Sequence, residues 1–148
     1  MKELPSHTED LPSPAGTLPP RAFASSAALP KLAHLELDST FLSGTIPPGA
    51  GELLSLRRLE LDGTRLSGTI SPWLGPSHRD APMASIDLAE TMLSGTIPPE
   101  LGRLMSLQEL YLYRSSLSGT IPAELAAVDE LTDLLLFGNR LSGSLPEA

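Results

Sequence analysis

The chain has 148 residues, 41% of them hydrophobic and 4% aromatic, with a formal charge of −8 and an isoelectric point near 4.7. A surface of that sign repels phosphate backbones and anionic lipid, which excludes nucleic acid as a partner and favours a neutral or cationic one. The chain has no cysteine, which excludes disulfide staples, and no stretch approaches the run of about 18 apolar residues that a membrane span requires.

Residues 1–28 read as an extended tail, because Pro5, Pro12, Pro14, Pro19 and Pro20 alternate with small and acidic residues. Met1 to His7 lacks the apolar core of a secretory leader. The only asparagine, Asn139, is followed by Arg140 and Leu141, so no N-glycosylation acceptor exists. Gly16-Thr17-Leu18-Pro19-Pro20 echoes a signature that recurs downstream and reads as the remnant of a degraded repeat. Arg21 to Ala28, rich in Ala and Ser, is expected to form a helical turn over the first strand.

From residue 29 to 148 one unit repeats five times, the last copy truncated. Its signature, Leu-Ser-Gly-Thr-Ile-Pro-Pro at Leu42 to Pro48, returns from Leu66, Leu93, Leu117 and Leu141, at intervals of 24, 27, 24 and 24 residues. Upstream of each signature lie leucines in the pattern L-x-x-L-x-L-x-x-N-x-L, as at Leu32, Leu35, Leu37, Thr40 and Leu42. Thr40, Thr64, Thr91 and Ser115 occupy the asparagine place, and only the last unit has Asn139 there. A hydroxyl reaches less far than an amide, so a looser hydrogen-bond ladder is expected. The three extra residues of the long unit fall in Gly75 to Pro82, expected to bulge as a loop beside Trp73.

These residues resemble the leucine-rich repeat family, specifically its plant-type subclass marked by S-G-x-I-P, found in ectodomains of receptor-like kinases, receptor-like proteins and polygalacturonase-inhibiting proteins. The resemblance implies an α/β-type leucine-rich repeat solenoid. It would have a short parallel β-sheet on the concave face and irregular, 3-10 or short helical segments on the convex one. Paired cysteines commonly flank such ectodomains, and their absence here is a departure from the pattern.

Period-two alternation sends the leucines of Leu35-Glu36-Leu37, Leu59-Glu60-Leu61, Ile86-Asp87-Leu88, Leu110-Tyr111-Leu112 and Leu134-Leu135-Leu136 inward and the residues between them outward. Stacking the units then builds three outward columns. One is Glu36, Glu60, Asp87, Tyr111, Leu135; a second is Asp38, Asp62, Ala89, Tyr113, Phe137; a third is His34, Arg58, Ser85, Glu109, Asp133. The first strands present carboxylates and the last two present aromatic and aliphatic groups, with Arg114 and Arg140 at the rim.

Like charges in one column destabilise a sheet, so Glu36 beside Glu60 and Asp38 beside Asp62 suggest a docked basic peptide. A solvated acidic face kept for solubility explains the same residues, and a calcium site is a third reading, although no ligand loop fixes its geometry. Tyr111, Tyr113, Leu135 and Phe137 are the stronger binding candidates, since exposed aromatics are frequent interface anchors. An apolar patch covered by a downstream repeat or by the chain's own tail is the alternative there.

Catalysis has no support: no nucleophile elbow, metal-binding HExxH, P-loop or dinucleotide fingerprint occurs, and His7, His34 and His78 lack a nucleophile partner. No cofactor is implied. The leading functional expectation is a non-enzymatic module that recognises a protein or peptide on its concave face. Self-association through open solenoid ends, and inhibition of a secreted hydrolase, are the alternatives.

Overall fold

Each copy of the repeat lays down two short strands, one before and one after its asparagine place. The computed structural model describes residues 16, 17, 29, 31–46, 53–74 and 82–146. In chain order the strands are β1 (His34–Glu36), β2 (Ser43–Thr45), β3 (Arg58–Glu60), β4 (Arg65–Thr69) and β5 (Ser85–Asp87). They continue as β6 (Met92–Gly95), β7 (Glu109–Tyr111), β8 (Ser116–Thr120), β9 (Asp133–Leu135) and β10 (Arg140–Ser142).

The odd-numbered strands form one five-stranded parallel sheet in the order β1-β3-β5-β7-β9, and the even-numbered ones a second, β10-β8-β6-β4-β2. Every connection runs forward by one coil, as a solenoid demands. The return segments carry 3-10 turns at Pro72–Leu74, Pro99–Arg103 and Ala123–Ala127, two of them following a proline that presets the backbone. Stacking of these turns is close enough that a Cβ on Gly102 would run into the backbone carbonyl of Glu124.

The second sheet is more than the sequence pattern announced. Glycine and proline are poor strand formers, so the signature reads as a turn, and only its neighbours in the stack make it a strand. Ser67, Ser94, Ser118 and Ser142 each donate from Oγ to the carbonyl of Gly44, Gly68, Gly95 and Gly119 in the preceding coil, at 3.2–3.3 Å. Gly95 shows why the glycine is needed. Its φ is 82°, and a Cβ there would stand 2.9 Å from the Thr69 methyl of the coil before.

The two sheets also differ in register. In the first, equivalent residues pair, Leu59 with Ile86 and Ile86 with Leu110. In the second, pairing is displaced by two residues, so that Thr45 lies opposite Ser67 and Thr120 opposite Ser142. Thr17 bridges Ser43 in parallel, and the Ser43 amide donates to the Gly16 carbonyl at 3.0 Å. That is the register of Thr45 against Ser67, so Gly16 and Thr17 stand beside β2 where a preceding coil would.

Between the sheets lies a ribbon of leucines. Leu59, Ile86 and Leu110 from one sheet and Leu66, Leu93 and Leu117 from the other are buried, together with Leu61, Leu88 and Leu112. Removing one such side chain costs about 2–5 kcal/mol. Leu35, Leu37, Leu134, Leu136 and Leu141, in the first and last coils, are only partly buried.

The ladder at the asparagine place is looser where threonine stands. Thr40, Thr64 and Thr91 donate to the carbonyl three residues back in their own coil, at 2.7–2.9 Å. Thr91 reaches across only to the Ser115 hydroxyl, at 3.1 Å. Asn139 instead joins two coils: Nδ2 donates to Leu112 O at 2.7 Å and Leu136 O at 2.9 Å, and Oδ1 accepts from the Leu117 amide at 3.1 Å. The helical turn at 21–28, the inserted loop at 75–81 and the Trp73 side chain lie outside the described residues.

Candidate ligand-binding face

The outward side chains of the first sheet stand in rows because equivalent residues pair. Glu36 faces Glu60, Glu60 faces Asp87, Asp87 faces Tyr111 and Tyr111 faces Leu135. The ladder continues past the strands, with the amides of Leu61, Leu88 and Leu112 donating to Asp87, Tyr111 and Leu135 at 2.9 Å. That keeps Asp38, Asp62, Ala89, Tyr113 and Phe137 in a second row. Neighbouring strands in such a sheet are about 4.8 Å apart, within reach for side chains to interact directly.

One end of this face is acidic. Among the described residues two ion pairs form, Arg58 with Glu60 of this row at 3.1 Å and Arg114 with Glu90 at 2.8 Å. Exposed pairs of this kind contribute at most about 1 kcal/mol each. Among the described residues no ion pair forms to Asp38, Asp62 or Asp87. Burial pushes the Asp87 carboxyl up to about 6, helped by Asp62, Glu60 and Asp38 and opposed by a hydrogen bond from the Ala89 amide at 3.0 Å. Asp62 is raised as well, first by burial and then by Asp38 and Glu90, against its own backbone hydrogen bond. Among the described residues no group of three or more acids or histidines is arranged to hold a metal ion.

The other end is aromatic. The rings of Tyr113 and Phe137 stack with centroids 4.7 Å apart and planes within 9°. Phe137 is 56% exposed and Leu135 40%, so the stack presents its outer edge to solvent. Burial and the surrounding carboxylates raise both tyrosine hydroxyls above their ordinary value, so each remains a neutral donor at physiological pH. Arg114 is already engaged: beyond its ion pair with Glu90, its guanidinium lies 5.9 Å from the Phe137 ring centroid. It braces the stack more than it reaches outward, and Arg140 lies exposed on β10 in the second sheet.

Three residues at this rim adopt a backbone conformation their side chains disfavour. Ser39, Glu90 and Arg114 have φ of 52°, 54° and 50°, at the position where the other two coils have Gly63 and Gly138. Nothing in their residue type announces this, although the glycines at the same place in the repeat do. A left-handed residue other than glycine costs about 1–2 kcal/mol. A notch lies where the strands of this sheet begin, lined by His34, Arg57, Arg58, Ser85, Gln108 and Glu109. The pattern had placed His34 and Arg58 in one column without indicating a cleft.

The family model described as Leucine Rich Repeat matches residues 55–77 and 106–127. With two parallel sheets on a 24-residue period, that decides the family. The chain is a leucine-rich repeat protein. Its plant-type signature agrees with the solved structures it resembles. The Arabidopsis receptor kinase HAESA, in complex with the peptide hormone IDA and the co-receptor SERK1, aligns with a TM-score of 0.79 and 34% identity over 89% of this chain and 21% of that one. The PEPR1–AtPEP1 structure aligns with a TM-score of 0.79 and 38% identity over 88% and 18%. The BIR3–SERK2 complex from Arabidopsis thaliana aligns at 0.71 and 36% over 78% and 61%. This leucine-rich repeat chain therefore spans about a fifth of the first two of these proteins and less than two thirds of the third. A comparison with curated protein sequences finds no match.

Proposed function

We propose that this leucine-rich repeat chain is a recognition module that holds a peptide or an extended segment of a protein across its first sheet. The ligand would place a basic side chain over Glu60, Asp62 and Asp87 and an apolar one against Tyr111, Tyr113, Leu135 and Phe137. The observation that carries this reading is the juxtaposition of a carboxylate cluster, in which Asp38, Asp62 and Asp87 form no ion pair among the described residues, with an exposed aromatic stack in continuous rows. Folding alone gains nothing from like charges opposite one another, whereas a cationic partner relieves them. The similarity to HAESA, whose structure holds a peptide hormone, supports the same reading.

The test is selection from a displayed random-peptide library, followed by affinity measurement on variants. Enrichment of Arg or Lys next to an aliphatic or aromatic residue is expected. Tyr113→Ala should weaken the selected peptides by about tenfold or more, as truncation of a buried anchor does. Glu60→Lys should weaken them by repulsion. Peptides that bind both variants as well as the parent chain would overturn the proposal.

A further inference from the structure

We propose that Asp87 makes the concave face a proton-gated site, so that acidification releases a cationic ligand by neutralising the carboxylate at the centre of the sheet. This rests on the recognition reading above and specifies how that site is regulated.

The geometry singles out Asp87 among the acidic residues. It is on β5, the middle strand of the sheet, and is half buried. From β3 and the turn after it, Glu60 and Asp62 face it, with Arg58 already committed to Glu60. Asp38 approaches from the first coil. Tyr111 is its register partner on β7 and Tyr113 lies near it, with Glu90 beside Tyr113 and Arg114 committed to Glu90. Its carboxylate accepts a hydrogen bond from the Ala89 amide. Among the described residues, every charged neighbour without a partner is therefore another carboxylate.

In such surroundings a proton and a ligand cation compete for the same group. Its proton comes off at about 6, inside the range where modest acidification changes its charge. By linkage, a cation that binds only the ionised form weakens as pH falls through that midpoint, and its binding expels the proton. The same linkage fixes the effect on folding. The folded-state value lies above that of a free carboxyl, so this group favours the folded chain most in acid. That contribution is lost as pH rises toward about 6.

The test uses the full chain, carbon-detected NMR of its carboxyl groups, and a capped hexa-arginine peptide as the cationic probe. Asp87 should titrate near 6 in the free protein and at lower pH when the probe is present, while Glu124 on the opposite side should not respond. Probe affinity should fall by up to about tenfold between about pH 7.5 and about pH 5, the limit that linkage sets for one site. Asp87→Asn keeps the acceptor for the Ala89 amide and should flatten that dependence to less than about twofold. A midpoint in the ordinary carboxylate range, or an unchanged pH dependence in Asp87→Asn, would overturn the gating and leave the recognition reading intact. A midpoint near 6 with no concave-face resonance shifted by the probe would overturn the recognition reading and the gating with it.

Discussion

The two sheets are built from the same repeat and differ in what they let the sequence do. In the second sheet the outward positions are nearly constant: Ser67, Ser94 and Ser118 donate to glycine carbonyls, and Thr45, Thr69 and Thr96 set their methyls over the next coil's glycine. In the first sheet the corresponding positions pass from Glu36 and Glu60 through Asp87 to Tyr111 and Leu135. The difference follows from contact. A residue wedged between coils has one acceptable identity, whereas a residue pointing from a register-matched sheet into solvent is free to vary. Recognition is therefore to be sought on the first sheet and stability in the second.

The sharpest way to break this comparison is a matched pair of substitutions. Gly95→Val forces a β-branched side chain into a positive φ and against the Thr69 methyl, and should cost about 3 kcal/mol or more in urea unfolding. Tyr111→Val on the first sheet should change stability by no more than about 1 kcal/mol, since β-branched residues suit strands. Equal losses in the two would erase the distinction between the sheets.

A smaller effect is expected at the asparagine place. Asn139→Thr should lose about 1–2 kcal/mol, because the threonines at this place bond to the carbonyl three residues back and none reaches a backbone group of the neighbouring coil, so the bonds to Leu112 and Leu117 disappear. Chemical denaturation would show it, and hydrogen exchange at the Leu117 amide should quicken. An unchanged exchange rate would mean that the coils are not tied together at that point.

The smallest effect expected is a gain. Ser39→Gly relieves a left-handed residue at the place where Gly63 and Gly138 stand in other coils, and should stabilise the chain by about 0.5–1 kcal/mol in thermal unfolding. A loss would mean that the Ser39 side chain holds the turn.

Much of this was legible in the letters because a repeat converts sequence distance into spatial adjacency. The intervals of 24, 27, 24 and 24 residues predict the rows Glu36, Glu60, Asp87 and Tyr113, Phe137 directly. The strands of the second sheet were not legible. Ser-Gly-Thr has little intrinsic preference for extension and gains it only from the coils on either side. Nor was the raised carboxyl of Asp87, which depends on how deeply the middle strand sinks. The strain at Glu90 and Arg114 was hidden because those side chains suggest no turn, while Gly63 and Gly138 at the same repeat position carried the signal.

The central claim is that binding belongs to the outward rows of the first sheet. The most direct measurement is the NMR footprint of a library-selected peptide on the isotopically labelled full chain. Shifts concentrated at Glu60, Asp87, Tyr111, Tyr113 and Phe137 are predicted. Shifts concentrated instead on the Ser-Gly-Thr strands of the second sheet, or on the 3-10 turns behind them, would contradict it.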